Sequence, residues 1–324
     1  MIKLRANLYD HFIDTYYEFL IQKGFDEESF FTLVEKASEA NSDYAIEESA
    51  KTDFIKTVFI KPFSKEALQK YPLLKDYYQF VLDKKRTNPL PDSSENKTLE
   101  EIFAYDTFMD KITLKKKLRV YIIEASGVEV CPYCNRQYID VFDKANDEAK
   151  AIAQLDHYYP KVEYPLYALS LYNLIPSCAS CNQGKSTNYQ DVIYPFSETA
   201  DIENQDAYFR IKPADLDKLM GKKLPEIEYA FDYDDEKKQH ADFFHHENMY
   251  QNHQRFAQRL LRAQKLDNKA YLEGMNKVLE DSKIRLSEGE LKELLYGFNG
   301  SDEELLQKPL SKLARDIIGF SKKS

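Results

Sequence analysis

All four cysteines of this chain stand in two Cys-x-x-Cys pairs, Cys131 and Cys134 in VCPYCNRQY and Cys178 and Cys181 in IPSCASCNQGKS. Each pair is a knuckle that can offer two thiolates to one ion. Two knuckles separated by some forty residues are the pattern of a tetrathiolate zinc site. A secreted chain of this length more often scatters its cysteines to clip loops together, and none is scattered here. The expected cofactor is therefore structural Zn²⁺ held by Cys131, Cys134, Cys178 and Cys181. Disulfides and redox dithiols are the other uses of such pairs, and they stay open at this point.

The zinc reading sets the organisation of the rest. Regular periodicity is lost over residues 128–192, where Cys, Pro and Asn cluster, as in a small module whose ion replaces part of the hydrophobic core. Residues 1–127 read as helical, with apolar positions three and four apart such as Leu8, Phe12, Tyr16 and Phe19, then Phe31, Leu33 and Val34. TNPLPDSSEN (87–96) reads as a loop, followed by a helix from about Thr98 and another from Thr113 to about Ala125, closed by Gly127. Inside the module, IAQLDHY suits a short strand, PLYALSLY a helical turn or short helix, and the segment from Ser180 a helix capped near Ser180 or Cys178. Residues 193–324 read as a short β-hairpin (AYFRIKP and EIEYAF), an acidic turn at 232–236, a long amphipathic helix or helix pair over 245–282, and more helix to the end. The fold class expected is mainly α with a small α+β module between helical flanks.

Composition bounds the function. With 324 residues, 43% of them hydrophobic and 31% charged, the chain suits a soluble globular protein of one to three domains. It has neither a run of some 18 apolar residues nor a secretory leader pattern, so no membrane and a cytoplasmic location are expected. A net charge of −10 counts against a simple nucleic-acid binder, which usually shows a basic surface. Local basic stripes, or a partner that supplies the affinity, would reconcile the two.

Between the knuckles lie AQLDHYYPK and LYNLIPSC. Hydrolysis of a phosphodiester needs water deprotonated and the phosphate charge neutralised, tasks suited to a neutral histidine and one divalent metal. Asp156 and His157 stand side by side, and Asn182 follows the last cysteine. A carboxylate and an amide oxygen are suitable hard ligands for Mg²⁺ or Mn²⁺. Neighbours on a strand point to opposite faces, so a bend is expected to turn Asp156 and His157 toward one cleft.

The order Asp156–His157–x–x–Pro160–Lys161, then Asn173–Leu174–x–x–x–Cys178–x–x–Cys181–Asn182–x–x–Lys185–Ser186, resembles the HNH endonuclease family over roughly Val130 to Tyr189. The resemblance implies a zinc-braced ββα-metal finger cutting DNA, with RNA as the alternative substrate, to leave 3′-hydroxyl and 5′-phosphate ends. It implies His157 as general base, Asp156 and Asn182 as ligands of the catalytic Mg²⁺ or Mn²⁺, and Asn173 as the residue tying the finger's loop to its strand. Asn182 stands where many members have His. The large helical flanks are similar to those of the Septu-type anti-phage HNH subunit, which implies an antiviral defence role beside an ATPase partner. Two other functions fit the same residues: a non-catalytic zinc module for binding, and an RNA-cleaving, toxin-like nuclease.

Substrate contacts are weaker signals. Lys185 is placed to meet a phosphate. Arg255, Arg259 and Arg262, continued by Lys265 and Lys269, form a stripe that could follow a phosphate backbone. It reads equally as the solvated face of a helix that buries Phe256, Leu260, Ala263 and Leu266. The run Lys115–Arg119 is a second basic candidate. His240, His245, His246 and His253 read as surface or interface residues.

Overall fold

The computed structural model describes residues 2–22, 25–63, 65–94, 97–110, 112–113, 116–143, 149–197, 200, 207–212, 224–230, 236–280 and 283–319. The chain is mainly helical, with short strands paired two by two. It divides into two compact units, residues 4–127 with 139–189, and residues 1–3 with 128–138 and 190–324. This grouping differs from the three consecutive segments expected from sequence, because the 128–192 stretch contributes to both units.

In the first unit the helices are α1 (Ile13–Gln22), α2 (Glu27–Ala40), α3 (Lys51–Phe59), α4 (Lys65–Gln69) and α5 (Pro72–Leu82); Leu8 and Phe12, read as the start of a helical pattern, lie in turns ahead of α1. The start of α2 is set chemically: the Asp26 side chain accepts the Ser29 N–H at 3.0 Å, and Glu27 and Glu28 face the positive end of the helix dipole. Phe30, Leu33, Val34 and Ala37 then share its buried face. The rings of Phe25, Phe30, Phe59 and Phe103 meet edge-on or tilted in one aromatic core. After the 87–96 loop, a Thr98–Glu101 capping box opens α6 (Leu99–Ile102), and α7 (Tyr105–Met109) follows.

The helix expected from Thr113 starts later, as α8 (Leu118–Ser126), because strands β1 (Ile112–Thr113) and β2 (Lys116–Lys117) pair first. Two β-branched residues there favour the extended chain. Gly127 ends α8 in the left-handed conformation, φ 61°. Strands β3 (Val141–Asp143) and β4 (Ala149–Ala151) form a pair not foreseen from sequence.

The segment that holds the site residues read from sequence is β5 (Gln154–His157), a loop with two 3-10 turns at Pro165–Tyr167 and Leu171–Asn173, β6 (Leu174–Ser177), and α9 (Ala179–Lys185), with Cys178 at the N-cap position. β5 and β6 run antiparallel, with Asp156 opposite Ile175 and His157 opposite Leu174. Tyrosine hydroxyls bind residues 169–189 to the N-terminal part of the unit: Tyr16 donates to the Leu169 carbonyl, Tyr172 to Ala6 and Tyr189 to Val81, each at 2.7 Å.

In the second unit, β7 (Phe209–Ile211) pairs antiparallel with β8 (Ile227–Tyr229), in the two segments read as a hairpin. The acidic run expected to be a turn lies, apart from Glu236, outside the described residues. Helices α10 (Glu236–Phe243), α11 (His246–Gln251), α12 (Gln254–Leu266) and α13 (Lys269–Glu280) follow. Three helices therefore occupy the stretch read as one or two. The break between α12 and α13 falls at Asp267–Asn268, where the Asn268 side chain accepts the Tyr271 N–H at 3.0 Å and restarts the helix. Helices α14 (Glu288–Tyr296), α15 (Asp302–Gln307) and α16 (Ser311–Ile318) complete the chain. Tyr208, Phe209, Ile227, Tyr250 and Leu313 form the core between strands and helices.

Candidate metal centre

The sulfurs of Cys131, Cys134, Cys178 and Cys181 all lie within 4.8 Å of one another, and all four residues are buried. Four thiolates bonded tetrahedrally to zinc at about 2.3 Å sit about 3.8 Å apart. The donor set is thus of the right chemistry and close to the right size for a metal such as zinc.

The first knuckle is a tight turn locked from outside. The Asn135 N–H returns to the Cys131 carbonyl at 2.8 Å, which puts Asn135 at φ 49°. Asparagine tolerates that left-handed conformation better than most residues. Its fully buried side chain donates to the Leu305 carbonyl at 2.9 Å and accepts the Lys312 N–H at 2.9 Å. The Tyr250 hydroxyl donates to the Cys134 carbonyl at 2.7 Å, and His240 Nε2 lies 3.4 Å from the Tyr133 carbonyl.

His240 and His246, read as surface or interface residues, are both buried inside this chain. Burial pushes the His240 pKa down to about 3, so the ring is neutral, accepting the Ile193 N–H through Nδ1. His246 pairs through Nδ1 with the Tyr208 hydroxyl at 2.8 Å. His245 is exposed and His253 half-buried beside Arg136.

The oxygen donors lie along β5. Alternation puts Gln154 and Asp156 on one side of the strand, and α9 covers that side through Asn182 and Lys185, which are three residues apart and share a helix face. Asn182 Nδ2 donates to Gln154 Oε1 at 2.7 Å, so the amide oxygen of Asn182 takes no part in that bond. Lys185 Nζ lies 3.2 Å from Asp156 Oδ1 and donates to the His157 carbonyl at 2.8 Å. The lysine expected at a phosphate is instead buried, its side chain 0% exposed against 2% for Asp156. The reason is helical spacing: the face that brings Asn182 to β5 brings Lys185 with it.

His157 turns the other way. Its Nε2 is 3.0 Å from the Ala168 carbonyl, and its ring packs edge-on to Tyr105, centroids 4.2 Å apart. A bend was expected to turn Asp156 and His157 toward one cleft; β5 instead keeps regular pairing through both residues, and the alternation holds. A carbonyl can only accept, so Nε2 carries the proton and Nδ1 is the basic nitrogen. Burial is the main influence on this imidazole, opposed by the Ala168 carbonyl and reinforced by the charges of Lys161 and Lys185, and its pKa falls to about 4. Ala168 and Tyr105 also line a cleft of about 310 Å³ with Phe103, Asp106 and Lys161.

Asn173 fixes the loop between the strands. Its fully buried amide donates to the Tyr159 and Tyr167 carbonyls at 3.0 and 2.9 Å and accepts the Tyr159 N–H at 2.8 Å. These bonds join three points of the loop that runs from β5 to β6, and the tie from loop to strand that the resemblance implied is not among them.

The depressed pKa of His157 has a consequence for stability. Between the ordinary histidine pKa of 6.5 and about 4, the unfolded chain takes up a proton that the folded site refuses. Its contribution is fully present above pH 6.5 and is lost as pH falls toward 4. A His157→Gln variant is expected to show a shallower fall in melting temperature than the wild type over that interval; equal slopes would mean that the imidazole is not held neutral.

The basic candidates fare differently. Arg255, Arg259, Arg262, Lys265 and Lys269 are exposed or partly so; all but Lys269 lie on α12, whose Ala257, Leu260, Leu261 and Ala263 are buried. Leu266, read as part of the buried face, is 42% exposed. Arg259 also reaches the Tyr296 carbonyl at 3.3 Å. In the second run, Lys117 and Arg119 both pair with Asp110, which reduces its value as a phosphate site, and Lys115 lies outside the described residues.

Several contributors escaped the sequence reading. Gln154 carried a usable signal, since it stands two residues before Asp156 and shares its strand face. Asn135 carried another, as an asparagine closing a knuckle turn. Tyr105 and the Ala168 carbonyl carried none. Compared with protein-family models, curated proteins and solved structures, the chain finds no match.

Proposed function

We propose that this chain is a metal-dependent endonuclease of the HNH type that hydrolyses phosphodiester bonds in DNA. The observation that carries the reading is His157: a half-buried, neutral imidazole whose Nε2–H is occupied by a carbonyl, so that Nδ1 is the proton acceptor. It directly follows a buried carboxylate whose side of the strand also holds an amide oxygen, and the ribbon β5–β6 leads straight into α9. Four clustered thiols support a zinc brace beside it.

In this reading Cys131, Cys134, Cys178 and Cys181 hold Zn²⁺, while Asp156 and Asn182 hold Mg²⁺ or Mn²⁺. The fit of a cation at Asp156 rests on the ammonium of Lys185, a positive group already drawn to that carboxylate. The bound divalent metal would polarise the phosphate and stabilise the leaving oxygen. His157 Nδ1 takes the proton from water, and Asn173 holds the loop that orients the ring. With Asp156 and His157 pointing to opposite sides of β5, this reading requires the phosphate to approach both groups from the strand end. The net charge of −10 favours a partner protein, such as the ATPase of a defence pair, carrying part of the nucleic-acid affinity.

The direct test is nicking of supercoiled plasmid by the zinc-loaded protein with Mg²⁺ or Mn²⁺, in parallel with single-stranded DNA and structured RNA. Metal-dependent nicking is expected; cleavage of RNA alone would move the reading to the toxin-like alternative. If the arginines of α12 follow a backbone, Arg255→Ala with Arg262→Ala should reduce the slope of log affinity against log salt by about 2, one unit for each lost phosphate contact. An unchanged slope would return the stripe to the role of a solvated helix face.

One observation favours a second reading. The His157 ring lies against Tyr105 and Ala168, on the side of β5 away from Asp156, as a structural histidine would. A thiolate-held binding module without catalysis would keep zinc and fold yet nick nothing at any divalent metal concentration.

A further inference from the structure

A charged group without access to water requires a reason. The Lys185 side chain is 0% exposed, and its ammonium has Asp156 Oδ1 at 3.2 Å, the His157 carbonyl at 2.8 Å and the face of the Tyr158 ring at 5.6 Å. Ordering and burying so long a side chain costs rotamer freedom, and its charge loses hydration as well. The compensating partner is the carboxylate that the nuclease reading assigns to a divalent metal.

We infer that Lys185 is an internal counter-ion, holding Asp156 in place before metal arrives, and that an incoming divalent ion must displace it from the carboxylate. The inference rests on Asp156 being a metal ligand, as proposed above. A divalent ion bound at about 2.1 Å from the carboxylate and an ammonium at its present 3.2 Å would share one anion, and their repulsion in a poorly solvated site is strong. Since Asn182 and Lys185 lie on one turn of α9, the same helix face carries the second ligand and the competitor. Lys185 can swing out along its own flexible stem while Asn182 stays. The centre is thereby set to remain empty until divalent metal is abundant, with its ligands already in position.

The test is Mn²⁺ binding to the zinc-loaded full chain, read by electron paramagnetic resonance, for wild type, Lys185→Met and Asp156→Ala. Lys185→Met is expected to bind Mn²⁺ about tenfold more tightly, through removal of one competing charge. It should also show a larger Mn²⁺-induced rise in melting temperature than the wild type, because its metal-free form has lost the ammonium beside a buried carboxylate. Asp156→Ala should bind none. Equal or weaker binding by Lys185→Met, with zinc content kept and Asp156→Ala still without Mn²⁺, overturns the Lys185 assignment and leaves the metal site standing. Absence of Mn²⁺ binding by both wild type and Lys185→Met overturns the inference together with the site. Should Lys185→Met not fold, acetylation of the wild type followed by mass spectrometry decides. Lys185 is expected to be protected without Mn²⁺ and labelled with it, and protection persisting at saturating Mn²⁺ overturns the inference.

Discussion

Replacing Cys178 by serine is expected to strip the protein of zinc and lower its melting temperature sharply. Cys178 holds two places in the structure. It is one of four thiols gathered within 4.8 Å, and it stands at the N-cap position of α9, the helix that carries Asn182 and Lys185, without a side-chain cap hydrogen bond. Tetrathiolate zinc contributes on the order of 10 kcal/mol or more where a fold depends on it, more than the whole net stability of many domains. Serine is itself a favoured residue at a helix start, so the loss isolates the metal's contribution from that of the cap. Zinc content by mass spectrometry and melting by calorimetry measure it. Retention of one zinc per chain with an unchanged melting temperature would mean that the thiols are only a buried cluster.

The second large effect is chemical and leaves the scaffold intact. His157→Ala is expected to reduce metal-dependent nicking by about 10²- to 10⁴-fold, the usual range for loss of a positioned acid–base group, while zinc content stays at the wild-type level. The ring makes one carbonyl hydrogen bond and one aromatic contact, so its removal opens a modest space rather than unfolding the unit. Because the imidazole is neutral above about pH 4, wild-type nicking should not decline on acidification from pH 7 to pH 5 through this group, provided that zinc is retained. Nicking that persists in His157→Ala would place the chemistry at another group or in a contaminant.

What could be read in advance followed from short-range rules. Helix α2 showed in the recurrence of Phe31, Leu33 and Val34, and the α8 stop showed in Gly127. The strand at Asp156, the turns around Pro165 and the helix after Cys178 were legible because alternation, proline and knuckle spacing act locally. Two kinds of information were not legible. The first is long-range hydrogen bonding, as when Asn135 reaches Leu305 and Lys312, or when the buried His240 pairs with Ile193 and Tyr133. Polar residues look superficial in sequence until their partners are known. The second is which side of an element a functional group takes. Lys185 seemed free to meet a phosphate, yet the helix phase that delivers Asn182 to β5 buries it on Asp156; a bend at Asp156–His157 seemed required, yet the pairing of β5 continues through both.

The most direct measurement is a crystal structure of the zinc-loaded protein soaked in Mn²⁺, with anomalous data collected at the zinc and manganese edges. The account requires two separate peaks, zinc among the sulfurs of Cys131, Cys134, Cys178 and Cys181, and manganese bound by Asp156 and the Asn182 amide oxygen with Lys185 moved off the carboxylate. A zinc peak alone, with Lys185 still paired to Asp156 at saturating Mn²⁺, would contradict it.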